Sequence, residues 1–391
     1  MLDVEIVDLF AGPGGLDVAA TWLGLPVVGI EWDANACATR GAAGLHTKQG
    51  DVRDFGPEDF PVANVLTAGP PCQTYTVAGT GTGRRALEDV LGFAKRMAAR
   101  DRSVAKDMTT LPDERTALVL EPLRWALQAK DAGRPYGAVV LEQVPAVLPV
   151  WAAMHEILEA EGYSVAHGVL RTEQYGVPQT RRRAILVARR KHEAALRREG
   201  SVALPKPEYR QYRRGVPRSQ GDDSLLPWVT MHNALDRTTR FVVVSNYGTG
   251  GDPKARGRRT SDEPSATVTG KISRNRVVTS RGDELPRFTA AEAGQLQTFP
   301  VDYPWSGGDI AQQIGNAIPP LLAAHVLVAA LDLNTELLAD LRVPHLPRWA
   351  ETRIPQPRAL TGTAVDSLEC MLDQPHDVEE LSKTMNPAPA V

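Results

Sequence analysis

Cys72 stands in the run Gly69-Pro70-Pro71-Cys72-Gln73-Thr74-Tyr75, directly after an apolar stretch, Ala63–Ala68, with the composition of a buried strand. Two successive prolines stiffen the connection and remove backbone donors, which fixes the thiol at the tip of a turn. A free cysteine is most often a small core residue. One set between Pro-Pro and Gln-Thr lacks an apolar setting, and exposed thiols are where nucleophilic chemistry is done. Cys37 and Cys370, the other two cysteines, are too few and too scattered for a disulfide framework or a zinc site, so no metal is expected.

A second chemical feature is the turn that closes the first apolar run, Asp8-Leu9-Phe10-Ala11-Gly12-Pro13-Gly14-Gly15-Leu16-Asp17. Gly12, Gly14 and Gly15 let a ligand approach the backbone, with Phe10 and Leu16 flanking it, at the carboxyl edge of a sheet. A dinucleotide fingerprint needs a third glycine where this chain has Asp17, and a carboxylate there is expected to repel pyrophosphate. Glu31 follows Gly12 by 19 positions, at the end of the second strand, placed to accept hydrogen bonds from ribose hydroxyls. Trp32 can stack on adenine. S-adenosyl-L-methionine fits: it carries ribose and adenine, a sulfonium, and no phosphate.

These residues need a scaffold, and the first half of the chain supplies an alternation. Val4–Phe10, Pro26–Ile30, Ala63–Ala68, Gly137–Val144, Tyr163–Leu170 and Ala184–Ala188 read as strands. Leu16–Leu23, Asp33–Ala42, Glu114–Lys130 and Val147–Glu161 have helical spacing. The pattern predicts a doubly wound, Rossmann-like α/β sheet over residues 1–190. Prolines at 205, 207, 217, 227, 253 and 264 break the rhythm, so residues 191–285 are expected to be a smaller, loop-rich unit. Helical periodicity returns over 286–342, in Thr289–Phe299 and Asp309–Leu333, where Pro319-Pro320 must kink or restart the helix. Residues 343–391 read as an extended or partly disordered tail.

The formal net charge of −3 hides a polarised distribution. Residues 181–218 carry a net +10 and 237–281 a net +7, whereas 331–391 carry −5. A polyanion would meet the two basic blocks. No apolar run reaches the ~18–20 residues of a membrane span, and Met1-Leu2-Asp3-Val4-Glu5 lacks the basic start of a signal peptide, so a cytoplasmic protein is expected.

The glycine turn and Pro70-Pro71-Cys72-Gln73 together resemble the DNA cytosine-5 methyltransferases of bacteria and phages, and further blocks follow in that family's order. Gly50-Asp51-Val52-Arg53-Asp54 resembles the segment that contacts the cofactor adenine. Leu141-Glu142-Gln143-Val144 stands where the family has Glu-Asn-Val, and Gln179-Thr180-Arg181-Arg182-Arg183 matches its Gln-x-Arg-x-Arg. Leu296–Pro300 and Gln312–Pro320 match its last two blocks. The resemblance spans residues 4 to about 330.

It implies a reaction. The Cys72 thiolate adds to carbon 6 of cytosine and makes carbon 5 nucleophilic, while Glu142, expected in a dry pocket, supplies a proton at ring nitrogen 3. Arg183 holds the base oxygen, and Arg181 and Gln179 orient the loop and the phosphates. Asp51, Val52 and Pro70 border the cofactor, and Asn316 with Ala317 closes its pocket from the C-terminal side. The target base is flipped out of double-stranded DNA, with Gln73, Gln179, Arg258, Thr267 and Lys271 as DNA contacts. Site choice is expected from residues 191–285. The resemblance also implies a monomer working at the nucleoid, with or without a cognate restriction endonuclease, and no stable complex with one. Gln143 departs from the family by one methylene while keeping its donor and acceptor set, so a shifted loop is expected.

Three other readings are weaker. A Rossmann oxidoreductase leaves Pro70-Pro71-Cys72-Gln73 unexplained. Transfer-RNA cytosine-5 methylation shares the motifs, but the long basic unit favours DNA. A catalytically weak DNA-binding relative would be expected to lose Cys72 or Glu142, and both are present.

Overall fold

Successive residues of a strand point to opposite faces of its sheet, and the first strand shows this directly. Ile6 enters one apolar core, while Val7 and Leu9 enter another. The computed structural model describes residues 4–71, 81–108, 114–191, 201–248 and 256–358. Seven strands, β1 (Ile6–Leu9), β2 (Val27–Glu31), β3 (Thr47–Gln49), β4 (Val65–Ala68), β5 (Ala138–Gln143), β6 (Tyr163–Arg171) and β7 (Arg182–Arg190), form one sheet in the order β3-β2-β1-β4-β5-β7-β6. From β3 to β5 all neighbours are parallel, whereas β7 runs antiparallel to both β5 and β6. The buried strands are Val-rich, but the sheet is not wholly parallel.

Helices cover both faces, as doubly wound folds require. The helices are α1 (Gly15–Trp22), α2 (Ala34–Ala42), α3 (Gly81–Ala98), α4 (Val104–Met108), α5 (Glu121–Asp131) and α6 (Leu148–Ala160) in the first half. Three small elements follow: α7 (Met231–Ala234), then β8 (Val242–Gly248) and β9 (Arg256–Thr260). Next come β10 (Arg276–Val278), β11 (Glu284–Leu285), α8 (Ala290–Leu296), α9 (Ile310–Asn316) and α10 (Pro320–Leu331). One face of the sheet packs against α1 and α10, the other against α3, α5 and α6. Residues 114–120 are a 3₁₀ turn leading into α5, not α-helix throughout, and the long α3 had no counterpart in the sequence reading.

Ile310–Leu331 is long and apolar enough to cross a bilayer by composition, yet 83% of that window is buried within the protein. α10 is apolar all round because it packs against α1 as well as against β5 and β7 of the sheet. The helix stops after Asn316 and restarts at Pro320, where proline fits the first turn.

The small antiparallel sheet has the order β11-β10-β8-β9. Its core, including Met231, Phe241, Val268, Ile272 and Phe288, also takes Ala293, Leu296 and Ile314 from the returning helices. The stretch just after 200 belongs elsewhere: Val202 sits in the core of α10, and the Tyr175 hydroxyl donates to Pro205 O at 2.9 Å. Residues 191–285 are therefore not one walled-off body.

Residues 343–358 are largely irregular but strapped to the sheet domain. Trp349 is 8% exposed and its indole donates to Ala43 O at 3.1 Å, and Arg358 binds the buried Glu5 carboxylate at 2.9 Å. Residues 359–391 lie outside the described residues.

Asp17 of α1 and Arg40 of α2 form a bidentate pair, both bonds 2.8 Å, with side chains 2% and 0% exposed. Removing one partner strands the other charge without water. Arg40→Met should lower the unfolding free energy by about 3–5 kcal/mol in urea titration, and the double variant Asp17→Asn/Arg40→Met should recover a large part of it. Equal losses in the single and double variants would contradict this.

Candidate active site

The strand order reverses direction beside β1, and in such sheets the crevice opens at the carboxyl ends of the strands. A cleft of about 730 Å³ lies there. From the glycine turn it is lined by Phe10, Gly12, Gly15 and Leu16, and from the ends of β2 to β4 by Glu31, Trp32, Asp51, Val52 and Pro70. Asn316 and Ala317 line it from the returning segment. Gly14 does not: it faces Leu45 and Tyr303 behind the turn.

Chain ends meet here through two close approaches. The space a side chain would occupy at Gly15 is filled by the Ile318 carbonyl, and that at Gly315 by the backbone of Thr269 and Gly270. The glycine turn, the returning segment and the connection between β9 and β10 thus stack on one another.

The Glu31 carboxylate accepts from Gly12 N and Asp33 N, each at 2.7 Å, which ties the ends of β1 and β2 together. Burial raises the Glu31 carboxyl's affinity for its proton, against the pull of those two N–H groups. Trp32 is 68% exposed at the cleft edge. Asp51 caps the turn at Val52–Asp54, and although burial opposes it, hydrogen bonds from Arg53 hold its carboxyl below the usual range. α1 has no side-chain cap, and its first two residues line the cleft. An exposed indole, a carboxylate at a strand end and glycine backbone form a donor set that fits an adenosyl group.

The role given to Asp17 was wrong. Its carboxylate is turned away from the cleft into Arg40, so it does not repel a phosphate there. Asp8 is a further acid lining the cleft, one to which the sequence assigns no role. It is 3% exposed and accepts from the Thr67 hydroxyl at 2.6 Å. A lone acid at the end of an apolar run was the available signal.

Pro70, Pro71, Glu142, Gln143, Arg181 and Arg183 line the same cleft. Cys72 and Gln73 lie outside the described residues. Glu142 ends β5 and meets Arg183 of β7, with Nε to Oε1 at 2.6 Å and both side chains about seven-eighths buried. Its buried setting thus also holds a charge partner, Arg183. Gln143 folds its amide back onto the turn, donating to the Pro70 carbonyl and accepting from Val144 N at 2.5 Å. The extra methylene is thereby absorbed locally.

Two further expectations change. Gln179 is completely buried, accepting from Val268 N at 2.8 Å and donating to Gln297 Oε1 at 2.7 Å, so its amide is unavailable to DNA. Arg181, 2% exposed, donates to Val268 O and Gly315 O at 2.8 Å each. It joins segments instead of gripping phosphate. Arg258 and Lys271 are exposed, and Thr267 is exposed with its hydroxyl donating to Thr180 O at 2.8 Å. Cys37 is half-buried, and burial raises its thiol pKa.

Comparison with known proteins agrees with this geometry. A family model described as C-5 cytosine-specific DNA methylase matches residues 4–94 and 103–331. The type II methyltransferase M1.HphI of Haemophilus parahaemolyticus is 26% identical over 85% of this chain and 88% of its own. M.Eco47II of Escherichia coli, also a type II methyltransferase, is 29% identical over 80% and 75%. Among solved structures, the Schizosaccharomyces pombe Dnmt2 methyltransferase shares the fold, with a TM-score of 0.55 and 16% identity over 84% of this chain and 98% of that one.

Burial, then repulsion from Asp17, lifts the Asp8 carboxyl from its ordinary 3.8 to about 7, against the Thr67 hydrogen bond and the Arg40 charge. A carboxyl that holds its proton more tightly when folded stabilises the fold fully below about pH 4, and that stabilisation is lost as pH rises to about 7. Asp8→Asn lacks this loss. Its stability relative to wild type should therefore rise by roughly 2–3 kcal/mol between about pH 5 and pH 8 in urea titrations. The same difference at both pH values would contradict the assignment.

Proposed function

The chain belongs to the C-5 cytosine-specific DNA methylase family, and we propose that it methylates carbon 5 of a flipped-out cytosine at a specific sequence in double-stranded DNA through a covalent bond to Cys72. The observation that carries this reading is that one cleft is lined both by the adenosyl-binding edge and by the Glu142–Arg183 pair.

When bound, S-adenosyl-L-methionine supplies an electrophilic methyl group on a sulfonium. Gly12, Glu31, Trp32, Asp51, Val52 and Asn316 would hold it. Cytosine carbon 5 is a poor nucleophile until electron density is pushed into the ring. The Cys72 thiolate does this by forming a bond to carbon 6, with the ring's 5,6 electrons shifting toward carbon 5. Glu142 stabilises the charge that develops by hydrogen bonding to, or protonating, nitrogen 3. Its present partner is the Arg183 guanidinium, so entry of the base has to reorganise the pair, with Arg183 moving toward the oxygen at carbon 2. After carbon 5 gains its methyl group, a base, read as water, removes the proton from that carbon, the carbon–sulfur bond breaks, and the thiolate returns.

A base inside a stacked duplex cannot reach this cleft without being flipped. The exposed Arg258, Lys271 and Arg274 of the small sheet and its flank are read as the DNA-facing cations, and that unit as the chooser of the site. The type II names of the relatives support a sequence-specific enzyme. A monomer at the nucleoid, with any cognate endonuclease acting separately, completes the proposal.

A duplex with 5-fluorocytosine in place of cytosine should trap a protein–DNA adduct when S-adenosylmethionine is added, because fluorine blocks the final elimination. Cys72→Ala should abolish the adduct, and Cys37→Ala should not; an adduct with Cys72→Ala would identify a different nucleophile. Glu142→Gln should slow single-turnover methyl transfer by roughly 100- to 10,000-fold, and an unchanged rate would remove Glu142 from the mechanism.

A further inference from the structure

The glycine turn is held in an unusual shape. Phe10, Gly12 and Gly14 have φ values of +60°, +55° and +101°, so three of five residues are left-handed, one of them not glycine. Such backbone persists only where surrounding contacts fix it. Glu31 fixes one side through Gly12 N. On the other side the carbonyl of Pro13, a buried residue, accepts from the Tyr303 hydroxyl at 2.5 Å. That hydroxyl also packs where a side chain at Gly14 would lie. Tyr303 is 4% exposed, and burial together with the nearby Asp17 raises its pKa, so its proton stays available to donate.

Part of what aims Tyr303 lies beyond the family match, which ends at residue 331. The Tyr303 ring meets Phe299 at 4.8 Å, Trp305 at 5.0 Å and Trp349 at 5.3 Å between centroids. Trp349 is anchored from two directions. Its backbone N–H donates to Asp302 Oδ1 at 2.8 Å, next to Tyr303, and its indole donates to Ala43 O at 3.1 Å. Arg358 fastens the end of the same strap to Glu5, just before β1. The strap therefore closes over the rear of the cofactor side and presses on the residue that holds the turn.

We infer that Tyr303, seated by the 343–358 strap, is a positioning residue for the cofactor-binding glycine turn, so that a segment outside the family's common domain sets the affinity for S-adenosylmethionine. This rests on the methyltransferase reading above. Tyr303 touches no reacting atom. Its effect is to keep the turn in its binding shape before the cofactor arrives, which lowers the ordering cost of binding.

Calorimetric titration of the full-length chain with S-adenosylmethionine tests it, using wild type, Tyr303→Phe, Trp349→Leu and, as a control for general loosening, Leu158→Ala in the remote core of α6. Tyr303→Phe keeps the ring and loses only the hydroxyl. It should weaken binding about tenfold, the scale of leaving a buried carbonyl unpaired, and raise KM for the cofactor with kcat at saturation near wild type. Trp349→Leu should weaken binding in the same direction, and Leu158→Ala should melt earlier yet bind as wild type does. Unchanged affinity in Tyr303→Phe, or an equal loss in Leu158→Ala, overturns the inference. If Trp349→Leu alone binds normally, the strap has no part in it. Wild-type protein that binds no S-adenosylmethionine overturns the functional reading and this inference with it.

Discussion

Arg181 lies at the cleft with almost no contact with water, and it directs its guanidinium at the carbonyls of Val268, in the connection between β9 and β10, and Gly315 in the returning helix. Burial and the neighbouring Arg183 charge both lower its pKa, and the Glu142 carboxylate opposes them. A buried cation is costly unless it is paired and hydrogen-bonded. Here Glu142 serves as counter-ion to two arginines while the carbonyl dipoles complete the shell. Gln179, two residues earlier, grips Val268 N from the same side. Three stretches of chain remote in sequence are thereby fixed to one end of the sheet, and each lines or supports the cleft. The group proposed for proton chemistry is thus also part of what joins the pieces.

That joint explains why chemistry and site choice are not separable bodies. Val268 belongs to the small sheet's core, yet the adjoining backbone of Thr269 and Gly270 rests directly on Gly315, and Asn316 borders the cofactor cleft. It also redistributes the meaning of the basic blocks. Arg181, Arg189 and Arg210 are buried, Arg237 is clamped by Glu292 and stacked on Phe241 and Phe288, and Arg259 lies over Tyr212. Such cations build the protein. Only the exposed remainder can meet a phosphate, so net charge along the chain overstates the DNA-facing charge.

How much of this was legible follows from what each feature depends on. β1, β2, β4 and β5 are legible because strands buried on both faces are runs of Val, Ile and Leu, Glu31 because it sits where such a run stops, and Glu142 only through the block that resembles the family's Glu-Asn-Val. β3 was missed because Thr47–Gln49 is exposed and polar. Asp17 and Gln179 were misassigned for a common reason: sequence shows that a polar side chain is near a loop but not which way it points, and both turned inward to partners more than 20 residues away. Trp349 and Tyr303 gave no signal at all, since a strap held by a few long-range contacts has no periodicity to read. The family resemblance covered the common domain and stopped short of it.

The central claim is that this one cleft carries out methyl transfer to carbon 5 of cytosine in DNA. It is tested most directly by incubating the protein with S-adenosylmethionine carrying a deuterated methyl group, in parallel with unmethylated genomic DNA and with transfer RNA, followed by mass spectrometry of the released nucleosides. The account predicts deuterated 5-methyldeoxycytidine from the DNA and no label in the RNA. Label on an exocyclic amine, or label confined to transfer RNA, would contradict it.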